Sequence, residues 1–494
     1  MRAALLVLAA CGSHFDGPGD ASAKIPLITS LAFLTTDNPG LSSDVTASIH
    51  GTRITVAFPF VDVTALRPRF VTNGASVAVD GTLQTSGVTF NDFTHGLVYT
   101  VIAPDGAVED FAVNVAVDSL APPVDFFVRD GVWVAIGDFN ADGKPDLAVS
   151  DAHGSVGSVA VLLDTTAAGE ATPSFGSLVD FVTSSPPLGG LPGLVVVADF
   201  NGDGRPDLAG ADEFGVSILF NTTPPGGITP SFAAGQDVPT SLDGSGPMAI
   251  AVGDLDGDGR PDLAVVQTTI SVVLNRTPVG GQELSFTAPT EFSTAAAGDG
   301  DFTTSVAIAD VNGDGLADLI APNFSDHTVA VLINTTPLQA AVPSFAFNVN
   351  FATGQEFGNG GFNSVATGDF NGDGIPDIVV GNRGTGGVSV LLNLTEPGAP
   401  VPSFAPSANF TQDVPGALAV GDVNGDGKPD IIATLAGGLL ILLDRTPQAE
   451  TPASFSAVEI SLVTPSFDSV AVADINGDGR LDVVTSLVSV LLAR

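Results

Sequence analysis

Apolar residues in this chain come in short runs, such as "VWVAIG", "DLAVS" and "SVAVLL", broken by Gly, Pro, Asn and Asp. No stretch holds apolar residues at helical spacing, so the pattern predicts many short strands joined by turns. Two textures are distinguishable. Over residues 25–118, segments such as "VTASIHGTRITVAFPF", "LVYTVIAPDG" and "VEDFAVNVAV" alternate apolar and polar positions, the signature of strands with one buried face, and predict a β-sandwich. Residues 119–494 instead repeat one unit.

The repeat is marked by a nine-residue motif: "DFNADGKPD" at Asp138, "DFNGDGRPD" at Asp199, "DLDGDGRPD" at Asp254, "DVNGDGLAD" at Asp310, "DFNGDGIPD" at Asp369, "DVNGDGKPD" at Asp422 and "DINGDGRLD" at Asp474. Before each copy stands a strand ending in a small residue. After it come "DLAV"-like text, a third strand ("VSILFNTT", "SVVLNRT", "VAVLINTT") and a fourth segment following "PSF". Four strands per roughly 55 residues, repeated seven times, predict an all-β fold with a seven-bladed β-propeller after the sandwich. The seventh copy ends after its third strand, whereas "PPVDFFVRDG" before the first copy has no sheet of its own. Residues 119–130, with Val124–Val128 as the strand, are therefore expected to close the ring and remove its open edges.

The motif places side-chain oxygens at positions 1, 3, 5 and 9, a backbone carbonyl at position 7, and a turn-permitting glycine at position 6. Hard oxygen donors without His or Cys suit Ca²⁺ and argue against zinc. The expected ligands are Asp138, Asn140, Asp142, Lys144 and Asp146; Asp199, Asn201, Asp203, Arg205 and Asp207; Asp254, Asp256, Asp258, Arg260 and Asp262; Asp310, Asn312, Asp314, Leu316 and Asp318; Asp369, Asn371, Asp373, Ile375 and Asp377; Asp422, Asn424, Asp426, Lys428 and Asp430; and Asp474, Asn476, Asp478, Arg480 and Asp482, the position-7 residues acting through their carbonyls. Helix-flanked calcium loops need a Glu at position 12. Here that position is Val149, Gly210, Val265, Ala321, Val380, Ala433 or Thr485, so these are loops between strands.

Charge supports a cation partner. The chain carries −40, which disfavours nucleic acid and anionic surfaces. Up to seven structural Ca²⁺ would bring −40 to about −26. The single cysteine rules out an internal disulfide framework. It lies in "MRAALLVLAACGS", which resembles a bacterial lipoprotein signal: residues 1–10 are then cleaved, Cys11 is lipidated, and residues 11–24 form a linker. That resemblance implies export and a membrane attachment through lipid alone. Gly12 after the cysteine points to the outer membrane or cell surface.

The repeat unit resembles the FG-GAP/VCBS repeats of bacterial surface proteins, related to the propeller of integrin α chains, and the first 25–118 residues resemble their Ig-like spacer modules. The resemblance implies a seven-bladed propeller with calcium loops between strands, and recognition or adhesion towards a surface protein or glycan. No catalytic constellation is found among His14, His50, His95, His153 and His327 or near a nucleophile, so an enzyme is not expected. A structural envelope scaffold, or an enzyme acting on polysaccharide, stay open as other readings. Five residues after the last motif Asp, the first five repeats carry Asp151, Asp212, Gln267, Asn323 and Asn382, an expected ligand face on the side opposite the calcium turns.

Overall fold

In a computed structural model, the described residues are 26–493 apart from 39–40, 42–43, 59–62, 64, 94–96, 118–119, 127–130, 152–157, 183–193, 213–214, 239, 241–245, 295–302, 324–326, 355–363, 384–385, 411–412, 449–451 and 462–468. Every regular element among them is a β-strand. The chain divides into two compact units, Met1–Val117 and Asp118–Arg494.

The first unit has two sheets. One orders Val45–Thr46, Ile28–Phe33 and Arg69–Thr72; the other orders Ser48–His50, Arg53–Phe58, Val108–Val117, Leu97–Ile102, Ser76–Val79 and Thr82–Leu83. All neighbours are antiparallel except Arg53–Phe58 with Val108–Val117. Alternation explains the core: in Leu97–Ile102, Tyr99 and Val101 are buried while Val98 faces solvent. Phe33 meets Phe58 and Phe93 edge-on, at 4.7 and 5.2 Å between centroids, and Ile54, Phe111 and Val113 complete a dense aromatic-aliphatic core.

The second unit consists of repeated four-stranded antiparallel sheets built like propeller blades, seven of them among the described residues. The first runs Gly131–Gly137, Asp146–Asp151, Ser158–Leu162 and Val179–Val182. The later first strands are Leu194–Ala198, Ala249–Gly253, Ala307–Ala309, Ser364–Gly368, Leu418–Gly421 and Val470–Ala473. Each lies beside the first strand of the next sheet, and Val470–Ala473 lies beside Gly131–Gly137. Close approach explains the small residue that ends these strands. A Cβ on Gly253 would sit 2.7 Å from Ile308 Cγ2, and one on Gly137 would sit 2.8 Å from Val197 Cγ1, both from the next sheet.

Second and third strands are buried on both faces, as in Asp262–Val266 and Ile270–Val273, which is why their text is a continuous apolar run. Outer strands such as Val179–Val182 alternate half-buried and exposed positions. The seventh sheet takes its outer strand from before the first: Val124–Asp125 pairs antiparallel with Ser489–Leu491. The Phe126 amide donates to the Val488 carbonyl, and the Phe126 ring packs edge-on to Phe175 of the first sheet at 4.9 Å. Phe181 makes the same contact with Phe232 of the second sheet. Of the expected closing strand Val124–Val128, Phe127 and Val128 lie outside the described residues.

Candidate metal centres

Each motif forms the turn between the first and second strands, and every second strand begins at its position-9 aspartate. In the first loop, Asp138 accepts the amides of Asp142 (3.0 Å) and Gly143 (2.8 Å), Asn140 Oδ1 accepts the Asp142 amide (3.1 Å), and Asp142 Oδ1 accepts the Lys144 amide (3.0 Å). The chain thus curls around its own carboxylates, with Gly143 at φ 83° where a side chain would be strained. The same position-1 bonds recur in the other six loops, for instance Asp310 to Asp314 and Gly315, and Asp474 to Asp478 and Gly479.

The position-9 aspartate performs a second task. Asp377 Oδ2 accepts the Phe370 amide at the loop's start (2.8 Å), and its Oδ1 accepts the Asn393 amide at the end of the third strand (2.6 Å). Asp146, Asp207, Asp262, Asp318, Asp430 and Asp482 are bonded in the same way. All seven have no exposed surface. Burial pushes Asp146, Asp207, Asp262, Asp318, Asp377 and Asp430 up to about 7 and Asp482 up to about 6, the backbone bonds opposing it and the neighbouring loop carboxylates adding to it in each case. Among the described residues, none of these seven carboxylates is in an ion pair.

Amides clasp one sheet to the next. Asn140 Nδ2 donates to Asp142 Oδ2 (3.2 Å) and to the Gly227 carbonyl in the second sheet's outer hairpin (3.0 Å). Asn201, Asn312 and Asn476 reach Gly281, Ala399 and Glu170 in the same way, the last joining the seventh loop to the first sheet. In the sixth loop, Asn424 Nδ2 is buried with no hydrogen-bond partner among the described residues. A second clasp comes from the third-strand ends: Asn221, Asn275, Asn334 and Asn393 donate Nδ2 to Phe139, Phe200, Leu255 and Val311 of the preceding loop. The asparagines of "NTT", "NRT" and "NLT" are therefore buried structural amides. In the first and sixth sheets the residue is Asp164 or Asp444, each with Oδ2 buried and unpartnered. Only in those two repeats is position 7 a lysine: Lys144 and Lys428 donate to the Thr166 and Thr446 carbonyls and lower the carboxyl against the burial that raises it.

The third loop departs from the pattern, because Asp256 replaces the asparagine and cannot donate. Arg276 donates instead, to Asp258 Oδ2 (3.0 Å), to Asp256 Oδ2 and to the Ala340 carbonyl of the next hairpin. Carboxylate oxygens of Asp254, Asp256 and Asp262 lie within 4.8 Å of one another, and Asp256 Oδ1 is buried with no partner. Arg276 was invisible to motif reading because it stands 18 residues beyond the position-5 aspartate it holds, where the first, second and fourth repeats have Thr165, Thr222 and Thr335.

The donor set fits calcium: oxygens only, converging in a tight turn, with a buried orphan oxygen in the third loop. Among the described residues, three carboxylate oxygens come within 4.8 Å of one another in the third loop alone, while the turn bonds of positions 1 and 5 recur in all seven. At position 7 the carbonyl is the expected ligand, while Lys144 and Lys428 use their side chains elsewhere. The expected ligand face fares differently. Gln267, Asn323 and Asn382 are buried, and Asn382 ties Gly387 and Ser389 within its own sheet, so these three are interior groups. The side chains of Asp151 and Asp212, and Cys11, lie outside the described residues. On that side, a cleft of about 350 Å³ is lined by Asp413, Val414, Leu435, Gly437, Leu439 and Ile460, in the sixth repeat, where Leu435 stands at the place that is polar in the first five.

No curated protein matches the sequence. Three solved structures resemble the fold at low identity. An Agrocybe aegerita lectin, described as recognising non-reducing terminal N-acetylglucosamine, is 18% identical with a TM-score of 0.41, covering 74% of this chain and 88% of that one. A Lactobacillus plantarum protein is 12% identical with a TM-score of 0.44, covering 76% and 94%. The Photorhabdus luminescens Tc holotoxin pore is 13% identical with a TM-score of 0.35; 87% of this chain matches 21% of that one. At these scores none bears on function. Family profiles are more specific: the FG-GAP-like repeat matches residues 138–210, 199–265 and 369–433, and the FG-GAP repeat matches residues 302–332. Six of the seven loops, those at Asp138, Asp199, Asp254, Asp310, Asp369 and Asp422, fall inside these matches and the one at Asp474 lies outside them; the chain carries FG-GAP repeats.

Proposed function

We propose that this is an exported, lipid-anchored protein of the cell surface that recognises a protein or glycan, presenting a seven-bladed, calcium-stabilised propeller on an Ig-like spacer. The position-9 aspartates carry the calcium part of the reading. Seven fully buried carboxylates, each beside two or three others, favour a bound cation over an ionised but unmatched state. The side chains at positions 1, 3, 5 and 9 and the carbonyl at position 7 would hold the ion. Bound calcium would supply two positive charges to each loop and stabilise the folded ring by mass action. Isothermal titration of metal-free protein tests this. Several equivalents of heat-releasing Ca²⁺ binding are expected; absence of binding would remove the reading.

Recognition rests on the repeat family and on the cleft at Val414, Leu435 and Ile460, an apolar opening on the side away from the loops. Glycan-array and surface-protein binding with wild type and Leu435→Asp tests it. Ligand capture lost in the variant supports recognition through that cleft. A structural scaffold is the second reading, favoured by the burial of Gln267, Asn323 and Asn382. It predicts no capture by either protein.

A further inference from the structure

We propose that Arg276 is a built-in counter-cation that keeps the third loop closed without calcium, making it a weaker calcium site than the fourth and fifth loops. This rests on the calcium reading above. In the first, second, fourth and seventh loops a neutral amide bridges the position-5 carboxylate to the next sheet, through Asn140, Asn201, Asn312 and Asn476. The third loop exchanges two residues at once: asparagine becomes Asp256, and the threonine after the third-strand asparagine becomes Arg276.

The guanidinium then takes over both amide bonds, to Asp258 Oδ2 and to the Ala340 carbonyl, and adds an ion pair to Asp256. Asp256 and Asp258 are essentially inaccessible, at 0% and 1% side-chain exposure, and Arg276 is 25% exposed, so the pairs are shielded from water and salt. Arg260 adds a further donor to Asp258 Oδ2 at 2.6 Å. Two of the four loop carboxylates are therefore already matched by protein-borne charge. A calcium ion entering here must share those oxygens with a guanidinium of like sign, while the inter-sheet clasp it would stabilise elsewhere is already made. The fourth and fifth loops are the opposite extreme, with Leu316 and Ile375 at position 7 and Thr335 and Leu394 after the third strand: three carboxylates and no local cation.

The test is calcium titration of the full chain against the double variant Asp256→Asn/Arg276→Thr, which restores the residues of the first, second and fourth loops and so keeps their amide clasp. The variant is expected to gain one tightly bound Ca²⁺ relative to wild type. In metal-free wild type, hydrogen exchange should leave residues 254–262 and 338–340 better protected than residues 310–318 and 397–399, and the double variant should erase that difference. Equal calcium stoichiometry and affinities in the two proteins, or equal exchange at the two loops in wild type, would overturn the inference while leaving the calcium reading intact. Absence of calcium binding in both proteins would overturn the two together.

Discussion

The two units solve the same problem with different materials. The first is held by large apolar side chains: Phe33, Phe58, Phe93, Tyr99 and Phe111 are fully buried, and apolar packing explains its integrity. The second has small aliphatic strands, buried phenylalanines such as Phe139, Phe200 and Phe370 at its loops, and in addition a polar frame. Its buried residues include seven position-9 aspartates, four third-strand asparagines and two aspartates in the same place. An aromatic core carries no charge to be matched. The polar frame fixes register and sheet-to-sheet spacing, but its ionised members are costly without a cation. The repeat unit should therefore respond to metal and pH, and the first unit should not.

The largest effects should come from cutting each frame at its centre. Phe111→Ala is expected to cost the first unit about 3–5 kcal/mol, equally with and without calcium. Asp377→Ala strands the buried Phe370 and Asn393 amides and is expected to cost the repeat unit about 3–5 kcal/mol, and to abolish one calcium equivalent. Chemical denaturation of each variant with and without chelator checks both; a calcium-dependent cost at Phe111 would break the comparison.

Next comes closure. Phe126→Ala removes an edge-on ring pair across the junction of the seventh and first sheets and is expected to cost about 1.5–3 kcal/mol. A double-mutant cycle with Phe175 should give a coupling above 0.5 kcal/mol, within the range of about 0.5–1.5 kcal/mol for such pairs. Additive effects would mean that the segment before the first loop does not bear on the ring's stability.

The pH response is subtler. Six of the position-9 carboxyls are raised from 3.8 to about 7 and Asp482 to about 6, so the metal-free folded state binds more protons than the unfolded chain between those values. Their favourable contribution is fully present below about pH 4 and lost as pH rises through about 7. Metal-free protein should accordingly melt higher at pH 5.5 than at pH 8. Calcium-loaded protein should show the reverse, since protons compete for the same oxygens. Parallel melting curves for the two forms would contradict the assignment of these carboxylates to the metal sites.

Strands, repeat and loops were legible in the sequence because each leaves a local trace: a continuous apolar run for a strand covered on both faces, and Asp and Gly at fixed offsets for a turn. The segment before the first loop was visible as an extended stretch without a sheet of its own, and Val124–Asp125 pairs with Ser489–Leu491. What the pattern concealed was long-range. Arg276 answers Asp256 across two strands, and Lys144 and Lys428 answer Asp164 and Asp444, so each reads as an incidental surface charge until the sheets are assembled. Asn323 and Asn382 read as loop tips because polar residues usually are, yet Asn323 ends a second strand, Asn382 follows one, and neighbouring structure covers both.

Hydrogen exchange on the full chain, read by segment with and without bound calcium, tests the central contrast most directly. The account predicts that chelation lowers protection across residues 131–491, most at the fourth and fifth loops, while residues 28–117 exchange at unchanged rates. Equal loss in both units, or none in either, would contradict it.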